Sequence, residues 1–152
     1  MDPRQIILST TEEILARAGF EAGCSWTEDL FPMIRIASSQ PLTSLIGARG
    51  EHLYALEHIV RLLSARRMAE HAMPDFFLDV DDYRKSHIIK LFELADEAAQ
   101  RVLAKGVSEA LAPMSAHERK LLHTKLASYT SLQTESIGVE PNRRIIIKLA
   151  SS

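Results

Sequence analysis

The 152-residue chain has one cysteine, six glycines, six prolines and no excess of positive charge. Cys24 alone cannot form an internal disulfide, and no Cys-x-x-Cys pair exists for zinc or redox work. Aromatic residues make up 6% of the chain, too few for a sheet paved with stacking rings. Eighteen Lys+Arg stand against twenty Asp+Glu, a formal net charge of −2. A domain that coats nucleic acid through bulk charge is strongly basic, so only a local basic site is compatible with this balance. No apolar run approaches the ~18 residues of a membrane helix. Met1-Asp2-Pro3-Arg4 also lacks the basic-then-apolar pattern of a signal peptide. The expectation is a cytoplasmic protein with no membrane partner.

Signs of chemistry are equally sparse. His52 and His58 are six apart, as are His117 and His123, which turns each pair to different helix faces. With no His-x-x-x-His or Cys–His cluster, no metal is expected. Glu93, Asp96 and Glu97 belong to the polar face of a long helix, and no nucleophile elbow is present. The chain reads as a non-enzyme without a cofactor. What remains is 46% hydrophobic and 25% charged, an ordinary globular composition. The length suits one medium domain or two small ones of about 70–80 residues each.

Asp2-Pro3 reads as an N-cap followed by proline at the first helical position. Ile7, Ile14, Leu15 and Ala18 then share a face, and Gly19 supplies a stop. Trp26 and Leu30 lie in a short extended stretch, and Met33 to Ser38 alternate as a second strand. Leu42 to Ile46 form a short helix that ends at Gly47. A longer helix from near Gly50 to about Glu70 shows an inner stripe of Leu53, Leu56, Val60 and Leu63. Phe76 to Val80 is a compact strand. Asp81-Asp82 then caps a helix from Tyr83 to Lys105, with Ile88, Leu91, Phe92, Ala95, Val102 and Leu103 inward. Residues 107–112 read as a strand, and Ser115-Ala116-His117-Glu118 as a capping box that opens a helix to about Ala127. Leu132 to Ile137 is a strand, 138–142 a turn, and in 144–149 the side chains of Ile145, Ile147 and Leu149 share a face. Residues 1–80 carry a net charge of −4, and residues 81–152 a net of +2.

Two stretches hold the functional information. In Leu45-Ile46-Gly47-Ala48-Arg49-Gly50-Glu51-His52-Leu53, two glycines three apart join two helices. A phosphodiester backbone can approach the main chain there, and the start of the next helix favours negative charge. Arg49 adds a cation, and Leu45 and Ile46 offer an apolar lining for bases. The pattern lacks the Gly-x-x-x-x-Gly-Lys of a Walker loop, and no strand leads into it as a dinucleotide fingerprint requires. Strand, short helix, Ile-Gly-x-x-Gly, longer helix and strand is the order of a KH module, and the preceding helix and strand resemble the type II arrangement. The stretch LIGARGEHLYALEHIVRLL resembles the KH core of the Jag (SpoIIIJ-associated) family. The resemblance implies that the Gly47–Gly50 loop clamps a single strand in a groove for about four nucleotides. Ala48 departs from the two basic residues common in that family, which with the acidic first half implies weak binding by this module alone.

The second stretch is Pro113-Met114-Ser115-Ala116-His117-Glu118-Arg119-Lys120-Leu121-Leu122-His123. Arg119 and His123 lie one turn apart on one side of their helix, at the rim of the stripe formed by Leu122 and Leu126. Arginine offers a planar fork of donors for phosphate, and histidine a ring for stacking or a second hydrogen bond. PMSAHERKLLHTKL, followed by TESIGVEPNRRIIIKL, resembles the R-three-H domain, as LDVDDYRK resembles its start in Jag proteins. That likeness makes Arg119 and His123 a pair that binds single-stranded nucleic acid. Arg143 and Arg144, with Lys148, extend the basic patch, and Arg84 and Lys85 are weaker candidates. Arg61, Arg66 and Arg67 are read as offsetting a helix C-terminus, and Tyr54 and Tyr129 as candidate stacking groups.

The expected fold is α+β, with a type II KH module (helix-strand-strand-helix-helix-strand) over residues 1–82. A small α+β Arg-x-x-x-His domain follows over 83–152. The extra N-terminal domain of many Jag proteins has no counterpart in this sequence. The resemblance implies a non-catalytic binder of single-stranded RNA, with single-stranded DNA as the competing ligand, acting as a regulator or chaperone of RNA. The nucleic-acid contacts fall to Ile46, Gly47, Ala48, Arg49, Gly50, Arg119, His123, Arg143 and Arg144. The alternative is an adaptor that uses the KH fold to meet protein, the ribosome or other RNA-binding proteins. The acidic first half suits that reading.

Overall fold

A computed structural model describes residues 2–68 and 71–151. The elements are α1 (Pro3–Arg17), β1 (Gly23–Thr27), β2 (Met33–Ala37), α2 (Thr43–Ile46), a 3₁₀ turn (Ala48–Gly50) and α3 (Glu51–Met68). They continue with β3 (Phe77–Val80), α4 (Tyr83–Lys105), β4 (Glu109–Ala110), α5 (Ala116–Leu126), β5 (Leu132–Ile137) and β6 (Arg144–Leu149). The chain divides into two compact units, Met1–Lys85 and Ser86–Ser152.

In the first unit Asp2 accepts the Arg4 amide at 3.3 Å, with Pro3 opening α1 as expected. The buried face of α1 is Ile7, Thr10, Thr11 and Leu15; Ala18, expected inward, is exposed. The two threonines enter the core because their hydroxyls donate to the Ile6 and Ile7 carbonyls at 2.7 and 2.8 Å. β1 pairs antiparallel with β2, and β2 pairs parallel with β3. A parallel pair needs a crossover. Here α2, the 3₁₀ turn and α3 supply it, which sets the two-glycine loop in mid-connection. Leu30 lies in a bend and is exposed, not part of a strand. The order helix-strand-strand-helix-helix-strand is the type II KH arrangement.

Two local expectations are corrected. The inner stripe of α3 is Leu53, Glu57, Val60, Ser64 and Met68; Leu56 is half-buried and Leu63 is exposed. Glu57 can occupy a core position because the Leu78 amide donates to it at 3.0 Å and Arg61 at 3.2 Å. Arg61 also donates to the Phe76 carbonyl. The expected end of α3 at Glu70 lies outside the described residues. The cap of α4 is Asp79, which accepts the Arg84 and Lys85 amides at 2.8 and 3.4 Å. Asp81 and Asp82 instead make the turn, at φ 53° and 58°. Burial raises the Asp79 carboxyl above its usual range.

In the second unit the antiparallel sheet runs β4-β6-β5. Its core joins Ala95, Ala98, Ala99 and Val102 of α4 to Leu122 and Leu126 of α5, and to Leu132, Ile145 and Ile147. Leu91 and Phe92 pack at its edge, but Leu103, expected inward, is exposed. β4 is only two residues long, shorter than the 107–112 expected; Val107 is solvent-exposed. Leu149, at the last position of β6, is likewise exposed. Ser115 and Glu118 form the expected capping box, with reciprocal bonds of 3.3 and 2.9 Å, an arrangement worth about 1 kcal/mol.

Candidate nucleic-acid interface

The loop of the first unit depends on both glycines. Gly47 ends α2 at φ 71° and donates to the Thr43 carbonyl at 3.3 Å, while Gly50 closes the 3₁₀ turn at φ 78°. A Cβ on Gly47 would come within 2.5 Å of the His52 ring, which is held in place by its Nδ1–H donating to the Ser44 carbonyl at 2.8 Å. A Cβ on Gly50 would meet Tyr83 at 2.8 Å and Tyr54 at 3.2 Å. Gly50 is therefore buried, and its role is to let the loop seat on two tyrosines. Ala48 and Arg49 are exposed, and Ile46 and Gly47 half-buried. Arg49 has φ 55°, a left-handed conformation costly for a side-chain-bearing residue.

Arg84, a weaker candidate for the basic patch on sequence grounds, is corrected to a core residue. It is 1% exposed, its guanidinium 4.1 Å from the Tyr54 ring centroid and 4.9 Å from that of Phe77. Tyr54 thus sits between the glycine loop and a buried cation. The sequence does not mark His52, Tyr54, Tyr83 and Arg84 as supports of this loop. Tyr54 reads there only as a stacking ring, because nothing local ties residues 52–54 to 83–84.

In the second unit the capping box starts α5 so that Arg119 and His123 face the hairpin end of the sheet. Helical spacing puts Arg119 at the rim of the buried stripe, but it lies beneath the surface, 7% exposed. Its Nη1 donates to the Met114 carbonyl at 2.6 Å, and its Nη2 to Glu140 at 2.7 Å. The Met114 amide in turn donates to the Arg143 carbonyl at 3.3 Å. His123 Nδ1 lies 2.7 Å from Thr134 Oγ1 and its Nε2 2.9 Å from Ser136 Oγ. Ile137, next after Ser136, pairs with Arg144 across the sheet. Arg119, His123, Arg143 and Arg144 are therefore gathered around one end of β5 and β6.

Their charges are not equivalent. Arg143 and Arg144 are half-buried and donate to the Gly138 and Asn142 carbonyls at 3.3 Å, with no carboxylate partner among the described residues. Lys148 is tied to Glu135 at 2.7 Å, a contact that lowers the Glu135 carboxyl below its usual range. Burial, reinforced by the Arg119 charge, lowers His123 below the ordinary imidazole value. At neutral pH it therefore offers a neutral ring, not a cation.

Folding accordingly favours neutral His123, so its contribution to stability is held above about pH 6.5, the unfolded value. It is lost as the pH falls from there through the folded value. An NMR titration of the His123 ring is expected to show a midpoint below about 6.5. A midpoint at or above that value would remove the assignment of a neutral ring.

Among the described residues no helix is long and apolar enough to cross a membrane, and no cluster of three His, Cys, Asp or Glu is arranged for a metal ion.

This fold and site define a two-unit α+β protein whose second unit is an R-three-H domain: residues 89–149 match the family model of that domain. The chain is 35% identical over 105 residues to an RNA-binding protein KhpB of Lactiplantibacillus plantarum, covering 69% of this chain and 32% of that protein. It is 34% identical over 105 residues to the RNA-binding protein KhpB of Bacillus subtilis, covering 68% and 50%. A KhpB of Clostridium symbiosum is 33% identical over 105 residues, covering 69% and 46%. The chain spans about a third to a half of the length of these curated relatives. These similarities agree with the expected resemblance to the Jag family.

Proposed function

We propose that this chain binds single-stranded RNA, without chemistry of its own, through a KH module at residues 1–82 and an R-three-H domain at 83–152. The observation that carries the reading is the loop in which Gly47 and Gly50 hold exposed Ala48 and Arg49 between them, at the start of an 18-residue helix. Such a surface accepts a phosphate backbone against main-chain amides and the positive end of the helix. Ile46 lines the adjoining groove. At the second site Arg143 and Arg144 supply the phosphate contacts, Arg119 anchors the hairpin beneath them, and His123 contributes its ring. The names of the relatives, RNA-binding proteins, agree with this reading. A cytoplasmic location goes with it.

If about four phosphates are engaged, log K should fall against log salt with a slope near about −3. Titration of a labelled single-stranded RNA at several salt concentrations measures this, with single-stranded DNA and duplex RNA in parallel. A flat salt response or a preference for duplex contradicts the reading. The acidic first half favours a second reading, an adaptor that meets protein or the ribosome. Protein partners that remain bound after ribonuclease treatment of a pull-down support that alternative.

A further inference from the structure

A bare apolar side chain stands at the tip of the β5–β6 hairpin. Val139 is 80% exposed, the most of any large hydrophobic side chain among the described residues. A single exposed valine on a surface loop ordinarily needs no function. This one is set apart by how firmly its turn is held. The Asn142 amide donates to the Val139 carbonyl at 2.8 Å, and Arg143 Nη1 donates to the Gly138 carbonyl at 3.3 Å. Glu140 accepts from Arg119 at 2.7 Å, which ties the turn to α5. Gly138, at φ 90°, lets the two legs of the turn close up, since a Cβ there would lie 3.2 Å from the Asn142 carbonyl oxygen. Both neighbours of Val139 are thus fixed, while its own side chain is left in solvent.

The charges around this tip are one-sided. Arg143 reaches the leg of the turn before Val139, at Gly138, and Arg144 Nε reaches the other leg, donating to the Asn142 carbonyl at 3.3 Å. Neither arginine has a carboxylate partner among the described residues. The two glutamates of the hairpin are both matched, Glu140 by Arg119 and Glu135 by Lys148, each at 2.7 Å. Ile137, 37% exposed, is opposite Arg144 in the ladder. Thr134 and Ser136 turn to His123, so Ile137 and Arg144 share the other face of the sheet. The hairpin end therefore presents apolar surface between two guanidinium groups of unneutralised charge. An apolar protein surface would strand those charges, and a phosphate backbone alone would leave the valine in water. An unpaired nucleotide satisfies both, because its base has an apolar face and its phosphates are anionic. In a duplex the base faces are covered by their stacked neighbours.

We infer that Val139 is a base-contacting residue of the second unit, its side chain lying against the face of an unpaired base while Arg143 and Arg144 hold the phosphates on either side. The inference rests on the reading of the chain as a binder of single-stranded RNA. To that reading it adds the group that tells a splayed base from a bare backbone. A tip already held in place loses little conformational freedom on binding, so more of the contact appears as affinity. An aliphatic contact with a ring face reads no hydrogen-bond pattern, so no preference among the four bases is expected at this position.

Fluorescence-anisotropy titration of the full chain tests this, with a labelled single-stranded RNA of mixed sequence beside a strand of equal length and charge built from abasic units. Val139→Ser should weaken binding to the RNA by about 3–10-fold through lost apolar burial. The slope of log K against log salt should stay that of wild type, because no phosphate contact is removed. On the abasic strand the same variant should bind like wild type. Val139→Trp should tighten binding to the RNA by about 3–10-fold, since a base stacks more strongly on an aromatic ring. Arg144→Gln is the contrast: it should weaken binding to both strands alike and flatten the salt slope by about 0.7. A wild-type chain that ignores single-stranded RNA overturns the RNA-binding reading and this inference together. Wild-type binding with Val139→Ser unchanged, an equal loss on both strands, or an altered salt slope in that variant overturns this inference alone.

Discussion

Glu57→Ala should lower the stability of the first unit by about 3–5 kcal/mol, the cost of stranding a buried charge. Glu57 is buried on α3 and serves three groups at once. It accepts the Leu78 amide at 3.0 Å and Arg61 at 3.2 Å, and stands 4.0 Å from the Arg84 guanidinium. Among the described residues no other carboxylate pairs with the Arg84 guanidinium, and its Nε and Nη1 lack hydrogen-bond partners. Tyr54 and Phe77 offer it only ring faces. Removing Glu57 therefore leaves a buried cation unneutralised and a buried amide unpaired. Arg84→Met should cost less, because Glu57 keeps Arg61 and Leu78 while the rings gain an apolar neighbour. Urea denaturation of both variants measures the order. A Glu57→Ala loss smaller than that of Arg84→Met contradicts this account.

Replacing Ala48 and Arg49 together by Asp should weaken single-stranded RNA binding by about 10–100-fold. The change removes one positive charge and adds two negative ones where a phosphate would lie. Each is worth about 0.5–1 kcal/mol at a solvated, salt-screened distance. Both positions are exposed, and Asp tolerates the left-handed backbone at residue 49 better than most side chains. Stability should change little. Substituting the glycines cannot separate binding from folding in this way, because a Cβ at either strikes a ring. A folded double variant that binds like wild type would remove the loop from the interface.

What is legible in the sequence is what neighbours in the chain settle between themselves. Asp2-Pro3 and the Ser115–Glu118 box mark helix starts, the two glycines mark a loop, and the alternation in 132–149 marks a hairpin. The misreadings arise where a polar residue finds its partner far away or against local habit. Glu57 displaces the expected leucines from the inner stripe because its partners lie on β3 and α4. Asp79 outcompetes Asp81 and Asp82 as a cap because those two are spent on the turn. Thr10 and Thr11 enter the core by satisfying themselves on the preceding turn. At the candidate site, the spacing of Arg119 and His123 is visible in the sequence. The burial of Arg119 is not, since Glu140 is held against it only by the hairpin.

The parallel pairing of β2 with β3 has a consequence for how the chain is made. Until Phe77–Val80 has left the ribosomal exit tunnel, β2 lacks its second neighbour and the apolar side of α3 has no finished sheet to close on. The β5–β6 hairpin, by contrast, zips from its own turn as soon as it is released. The amino-terminal sheet, although begun early in synthesis, therefore closes only when a strand arrives from beyond the whole α2–α3 crossover.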